Sequence, residues 1–306
     1  MKKVLVVHYT QTGQMGRVLE ALCAPLKADP GISLCVEQVK PKRDFPFPWP
    51  FFRFFDTFPE AVYGDIPEME PYAFDPDAGY DLVILGYQAW FLSPSLPIQA
   101  FLKSPEAARA LKGAKVVTLV ACRDMWLKAQ EIVVAELQRL GAEHVGHIAL
   151  VDEAGSAGSF LATPLWMLTG EPGPRWGGLI PKAGVAPHKV AAASRFGERI
   201  AERLKEGQPL DGALLKGLDA VQVNIALISS ENAIRRGFKV WGAFLRFLGP
   251  QGNWRRQAVL LVYVLWLCVA ILVFVPLGFL FRKLSAPFSK RRNAELAARY
   301  AGPSGE

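Results

Sequence analysis

Residues Gln257 to Phe281 (QAVLLVYVLWLCVAILVFVPLGFLF) carry no charge over 25 positions and stand between Arg255-Arg256 and Arg282-Lys283. At about 1.5 Å of rise per residue, such a helix is long enough to cross a hydrocarbon core of roughly 30 Å. Helices buried in soluble domains seldom run this far without a polar position, so a transmembrane helix is expected at 257–281. Pro276, near its C-terminal end, would kink it without breaking it. A mean hydropathy of +0.18 in a chain with 21% charged residues agrees.

Charge divides the 306 residues in two. The whole chain is +7, but the part from Ala233 onward holds twelve Lys/Arg against two Glu, a net +10, which leaves −3 for residues 1–232. The basic character lies beside the apolar run, where it suits anionic lipid, and no nucleic-acid partner is expected. Val4 to Val7 is too short for the core of a signal peptide and meets His8 at once, so the N-terminal part is expected in the cytoplasm, tethered to the inner membrane from its C-terminal side. Four Lys/Arg flank the run on its N-terminal side and six on its C-terminal side. Export of the tail through a single span therefore opposes the positive-inside tendency, and a hairpin bent at Pro276-Leu277-Gly278 is the alternative.

Upstream, residues 3–9, 33–39, 81–87, 115–121 and 145–151 are short Val/Ile/Leu-rich runs, mostly too continuous to be half-exposed strands. Helical patterns at 14–27, 97–111, 125–140 and 187–205 alternate with them. That alternation predicts right-handed crossovers and a parallel sheet covered on both faces. Two insertions interrupt it: residues 44–62, whose DFPFPWPFFRFFDTFP stretch packs seven Phe and one Trp, and residues 155–182, where Gly and Pro turns mix with Leu, Met, Phe and Trp. Either is core laid over the sheet or an apolar lid facing lipid or ligand. Residues 213–248 look helical, with Phe238, Trp241, Phe244, Leu245 and Leu248 at three- and four-residue spacing, an amphipathic connector leading into the span. The expected division is 1–207, 208–256, 257–281 and a basic tail at 282–306, frayed after Arg292. Cys23, Cys35, Cys122 and Cys268 make no CxxC and read as reduced structural thiols. His144 and His147 have metal-like spacing but no Cys or acidic set nearby, so no metal is expected.

The first strand runs into Tyr9-Thr10-Gln11-Thr12-Gly13-Gln14-Met15-Gly16 and a helix follows. Such a loop points backbone N–H groups, two hydroxyls and the positive end of a helix dipole at one place, which suits a phosphate, unless it is merely a turn. It is neither a Walker loop nor a G-x-G-x-x-G dinucleotide loop. The pattern resembles the T-x-T-G-x-[TN] phosphate loop of flavodoxin-like proteins, with Thr10, Thr12 and Gly13 in register and Met15 departing from it.

A second stretch, from Gly86-Tyr87-Gln88-Ala89-Trp90-Phe91 to Leu102, resembles the flavin-ring loop of flavodoxin-like reductases at Gly86, Trp90, Pro94, Ser95, Pro97 and Phe101, while Tyr87-Gln88 replaces the usual Ser/Thr-Pro. A third loop, Cys122-Arg123-Asp124-Met125-Trp126, stands where that family places further flavin contacts, without the Gly-Gly of its quinone-reductase branch. The resemblance implies a doubly wound five-stranded sheet of order 2-1-3-4-5 and an FMN site at the strand ends. Thr10, Gln11, Thr12, Gly13, Gln14 and Met15 would hold the phosphate. Tyr87, Gln88, Ala89, Trp90, Phe91, Cys122, Arg123, Asp124 and Trp126 would hold the ring, with Trp90 as an aromatic wall unless it is a core residue. Tyr87 or Asp124 would serve in proton transfer. NAD(P)H, if used, would bind transiently over the flavin.

At whole-chain level the opening KKVLVVHYTQTGQ with a C-terminal apolar anchor resembles bacterial proteins labelled dialkylresorcinol condensing enzymes. In such pathways a separate ketosynthase joins two acyl chains and the partner protein aromatises the resulting cyclohexanedione. The resemblance therefore implies an FMN-dependent oxidoreductase acting on an apolar substrate, with a ketosynthase as partner. A membrane-tethered electron-transfer or scaffold module without turnover of its own, or a fold that has lost FMN, stays open as an alternative.

Overall fold

The computed structural model describes residues 1–152 and 155–304, and within its helices the side chains of 155–160, 226, 229, 271, 274–290, 292 and 293 fall outside the description. Val4–Val7, Leu82–Leu85 and Val116–Val120 (with Thr118 among them) are buried without interruption, as strands covered on both faces must be. They belong to β1 (Lys2–His8), β3 (Leu82–Tyr87) and β4 (Lys115–Cys122), flanked by β2 (Ile32–Gln38) and β5 (Glu143–Val151). All pair in parallel in the order β2-β1-β3-β4-β5. This is the doubly wound 2-1-3-4-5 arrangement of a flavodoxin-like sheet.

Helices cover both faces. α1 (Gln14–Ala28) buries Met15, Val18, Leu19, Leu22, Cys23 and Leu26, one apolar stripe at helical spacing. α9 (Ser194–Glu206) packs on it so closely that a Cβ on Gly197 would stand 1.8 Å from the Leu22 carbonyl oxygen. α2 (Phe51–Asp56) and α3 (Phe58–Tyr63) lie in the first insertion, and α4 (Leu96–Leu102) and α5 (Pro105–Ala110) follow β3. The single helix expected at 97–111 is two, because Pro105 cannot continue an α-helical ladder and Ser104 caps the second by accepting from Ala107 N–H. α6 (Leu127–Arg139) joins β4 to β5, α7 (Gly155–Thr169) forms the second insertion, and α8 (Pro187–Ala191) precedes α9.

The C-terminal third differs most from expectation. The connector is helical only as α10 (Ile225–Phe247), since Gly217 and Asp219 adopt left-handed φ of 77° and 47° before it. α10 buries Phe238 and Leu245 against Phe58, Leu260 and Tyr263, and turns Val240, Phe244 and Phe247 outward. Among the described residues, no helix is long and apolar enough to cross a membrane. The run expected to do so lies within one long helix, α11 (Trp254–Ala301), and residues 271 and 274–281 of that run lie outside the described side chains.

The first turns of α11 are fixed to the domain. Arg256 is fully buried between Asp56 and Glu60, and Tyr263 stacks on Phe58 at 4.5 Å and 12°. On the other side Leu261, Val262, Leu265, Val269, Leu272 and Val273 are exposed. The end expected to fray is held too: Leu296 packs on the main core, the Tyr300 hydroxyl donates to Glu131 Oε1 at 2.5 Å, and Ser304 is buried. A straight helix would carry Tyr300 about 50 Å beyond Trp266. Trp266 nevertheless abuts Gly237 of α10, and Tyr300 binds α6, whose Leu127 and Lys128 N–H groups donate to Glu231 of α10. Both ends of α11 therefore contact the same domain.

Candidate functional site

The parallel register puts His8 opposite Gly86 and Tyr87 opposite Val120, so the loops after β1, β3 and β4 leave the sheet side by side. Gln88 Nε2 donates to the Tyr9 carbonyl and ties the first two loops together. In the first loop Gly13 caps α1 at φ 77° and ψ −10°, a left-handed conformation that favours glycine. The first-turn N–H groups of a helix have no intrahelical acceptor. Thr12 Oγ1 accepts from Gln14 N–H at 3.4 Å, while Thr10 Oγ1 is shut off from solvent without a partner. Met15 is buried, and its sulfur and Leu19 fill the space a Cβ on Gly86 would need. The departure at Met15 is thus a core residue facing away from the loop.

Gln11 and Gln14 reach sideways, each to one insertion. Gln11 Nε2 donates to the Pro46 carbonyl at 2.9 Å, and Gln14 Oε1 accepts from Val185 N–H at 2.8 Å, just beyond the second insertion. The two insertions also meet each other: Trp49 N–H donates to Met167 O at 2.7 Å and the rings of Phe47 and Trp166 are 6.1 Å apart. Together they roof the loop.

Trp90 is half-buried and stands under that roof, with the rings of Tyr9, Phe45 and Trp49 approaching edge-on at 5.9, 5.0 and 5.6 Å. Ala89-Trp90 pairs with Ser93-Pro94 in a two-residue antiparallel ribbon, so Phe91 and Leu92 form its turn at φ 50° and 60°. Such turns ordinarily use Asn and Gly, and a bulky residue held there costs about 1–3 kcal/mol. The turn is held by packing of Phe91 against Phe54 and Phe58 and by Arg235 of α10, which donates to the Leu92 carbonyl at 2.8 Å.

The residues expected to surround a ring separate here. Tyr87 is fully buried, its hydroxyl donates to Gln130 Oε1 at 2.7 Å, and burial raises its pKa well above the ordinary value. It therefore belongs to an interior network in which Gln130 donates to Thr118, and the Thr118 hydroxyl bonds His144 at 2.9 Å and His147 at 2.8 Å. Burial lowers the pKa of His147 to about 3 and of His144 to about 4, so both are neutral at pH 7. Trp126 is also interior, 4.9 Å from the His147 ring. Neither Tyr87 nor Trp126 faces the roofed space as the resemblance implied. Ala89, Cys122, Arg123 and Asp124 are half-buried at the strand ends, and Asp124 accepts from Asn224 Nδ2 at 3.2 Å just before α10. Burial, followed by Asp124, raises the Cys122 thiol well above its usual range.

Four contributors escaped sequence reasoning. Arg17 brings Nη1 to 3.0 Å from the position of a Cβ on Gly13, and the signal was legible as a basic residue four positions after the loop glycine, in a first turn without acids. Phe45 and Trp49 were seen only as part of a Phe-rich stretch. Glu231, fully buried, caps α6 from 104 residues away through Leu127 and Lys128, and burial raises its pKa to about 7 despite those hydrogen bonds. No local pattern announces it.

Comparison with family models and with curated proteins finds no match. Solved structures are similar in outline. A flavoprotein of Lactobacillus acidophilus in complex with FMN is 18% identical, with 49% of this chain covering 93% of that one at a TM-score of 0.38. A flavodoxin from the domain Archaea is 12% identical (66% and 99% covered, TM-score 0.35), and the Trp repressor binding protein of Bacillus subtilis is 14% identical (63% and 99%, TM-score 0.31). The flavodoxin-like character of the sheet stands on its strand order and pairing, independently of these likenesses.

Proposed function

We propose that the chain binds FMN at the ends of β1, β3 and β4 and serves in oxidation–reduction with an apolar partner at a membrane surface. The observation that carries this is a phosphate-suited loop, with the solvent-shielded, unpartnered Thr10 hydroxyl and the left-handed Gly13, one hydrogen bond away from an aromatic wall at Trp90. The residues fit the group: Thr10, Thr12 and the first-turn N–H groups of α1 would take the phosphate, and Trp90 with the backbone of 88–91 would take the ring. FMN, when bound, supplies an acceptor for two electrons. Phe45 and Trp49 would exclude water above Trp90, and the carboxylate of Asp124 is the proton acceptor at the third loop.

The apolar partner is suggested by continuity. Aromatic rings run in contact from Trp90 through Trp49, Phe54, Phe91 and Phe58 to Tyr263 and Trp266, and Trp266 lies at the outer apolar face of α11. That face, with Val240, Phe244 and Phe247 of α10 and basic residues beside it, suits insertion into an anionic lipid surface. The return of Tyr300 to α6 favours a hairpin attachment over a single crossing. Within this class, removal of two hydrogens from a cyclohexanedione made by a ketosynthase is the first activity to assay, with an electron-transfer role as the alternative.

An absorption spectrum of the detergent-purified chain tests the reading. Flavin bands that persist after gel filtration support it; a colourless protein that leaves the fluorescence of added FMN unquenched refutes it. Turnover of an apolar ring substrate without any protein partner separates enzyme from carrier.

A further inference from the structure

We propose that Arg17 is the cationic phosphate ligand of this site, so that the loop discriminates a phosphomonoester such as FMN from its dephosphorylated form, riboflavin. The proposal rests on the FMN reading above and assigns the charge that a loop of hydroxyls and amides lacks.

Three observations meet at Arg17. Its backbone N–H donates to the Gly13 carbonyl at 3.1 Å, which places it one turn into α1, and its guanidinium folds back over the loop until Nη1 lies 3.0 Å from where a Cβ on Gly13 would be. The absence of a side chain at residue 13 thus admits both the left-handed turn and the guanidinium. Second, the first turn of α1 has no acidic residue, and among the described residues no carboxylate pairs with Arg17. Arg17 is exposed, with its cation beside the positive end of the α1 dipole, an arrangement that favours an anion between the two. Third, the shielded Thr10 hydroxyl without a partner lies in the same loop. A dianionic phosphate satisfies all three: it accepts from Thr10, lies on the first-turn amides, and gives Arg17 a charge-assisted partner.

The test uses the full chain, with FMN, riboflavin and inorganic phosphate as probes. Arg17→Gln is expected to weaken FMN binding, read by quenching of flavin fluorescence, by roughly tenfold or more. Riboflavin binding should stay within about twofold of wild type, and Arg17→Lys should recover part of the FMN affinity. Affinity of wild type for FMN should fall with salt more steeply than that of the Gln variant. Unchanged FMN affinity in Arg17→Gln overturns the proposal, as does an equal loss for riboflavin, which marks Arg17 as a support of the fold. If wild type binds neither flavin, the FMN reading fails and phosphate decides for Arg17. A melting temperature raised by phosphate over chloride of equal ionic strength in wild type but not in Arg17→Gln sustains an anion site, and no rise in wild type removes it.

Discussion

Replacing Arg256 by Met should detach the C-terminal helices from the aromatic insertion. The Arg256 side chain is 1% exposed and faces Asp56 and Glu60, whose side chains are 7% and 16% exposed. It donates to Glu60 at 2.7 and 2.8 Å, to the Asp56 carbonyl at 2.5 Å and to the Gly249 carbonyl at 3.2 Å. Its Nε approaches Asp56 Oδ1 to 2.5 Å, but off the hydrogen-bonding direction, so that contact is coulombic. Removing the cation leaves two carboxylates in a dry interface, a situation that costs about 3–5 kcal/mol. For a domain of this size that lowers the melting temperature by roughly 10 °C. Differential scanning calorimetry in detergent measures it, and near-ultraviolet circular dichroism should show the loosened packing of Phe58 and Tyr263. The triple variant Asp56→Asn, Glu60→Gln, Arg256→Met should regain most of the loss, because the penalty comes from unpaired charge. An Arg256→Met protein melting within about 2 °C of wild type, or a triple variant no better than the single, refutes this reasoning.

Glu231→Gln should change the pH dependence of stability. The folded pKa of about 7 exceeds the unfolded one, so the native state holds a proton between about pH 4.5 and 7, and wild type loses stability as pH rises through that window, by up to roughly 3 kcal/mol. The Gln variant should lack this fall, and melting curves of the two that stay parallel from pH 5 to 8 would contradict it. Gly197→Val should prevent folding or cost more than about 4 kcal/mol, read by urea denaturation, because the α1 backbone at Leu22 occupies the needed space. Phe51→Ser with Phe52→Ser, at positions 41% and 42% exposed, should leave the melting temperature within about 2 °C while Phe54→Ser lowers it by several degrees, since Phe54 packs on Trp49 and Phe91. Flotation with anionic vesicles should weaken when Leu265 and Val269 become Ser, and unchanged flotation would remove the lipid-facing role of α11.

The sheet was legible because each strand buried on both faces writes a continuous apolar run, and because Thr10-x-Thr-Gly13 and Trp90 sit at the strand ends where parallel topology gathers loops. What was not legible depends on contacts far apart in sequence. Nothing local tells that Gln11 and Gln14 point at the insertions, or that Tyr87 turns into the interior to meet Gln130. The 25-residue apolar run reads as a span because composition reports lipid preference and not packing. Arg256, Tyr263 and Tyr300, three polar-tipped residues in and beside it, fasten the helix to the domain through partners 169 to 205 positions away in the chain.

Titration of FMN against the full chain, with Gly13→Asp beside wild type, tests the central claim most directly. A carboxylate at residue 13 would fill the cradle and repel a phosphate, and the aspartate would have to adopt a left-handed backbone. Saturable quenching of FMN fluorescence at one site per chain by wild type, lost in a Gly13→Asp protein whose near-ultraviolet circular dichroism is unchanged, is the predicted result. Absence of quenching by wild type at high micromolar FMN, or equal quenching by both proteins, would contradict it.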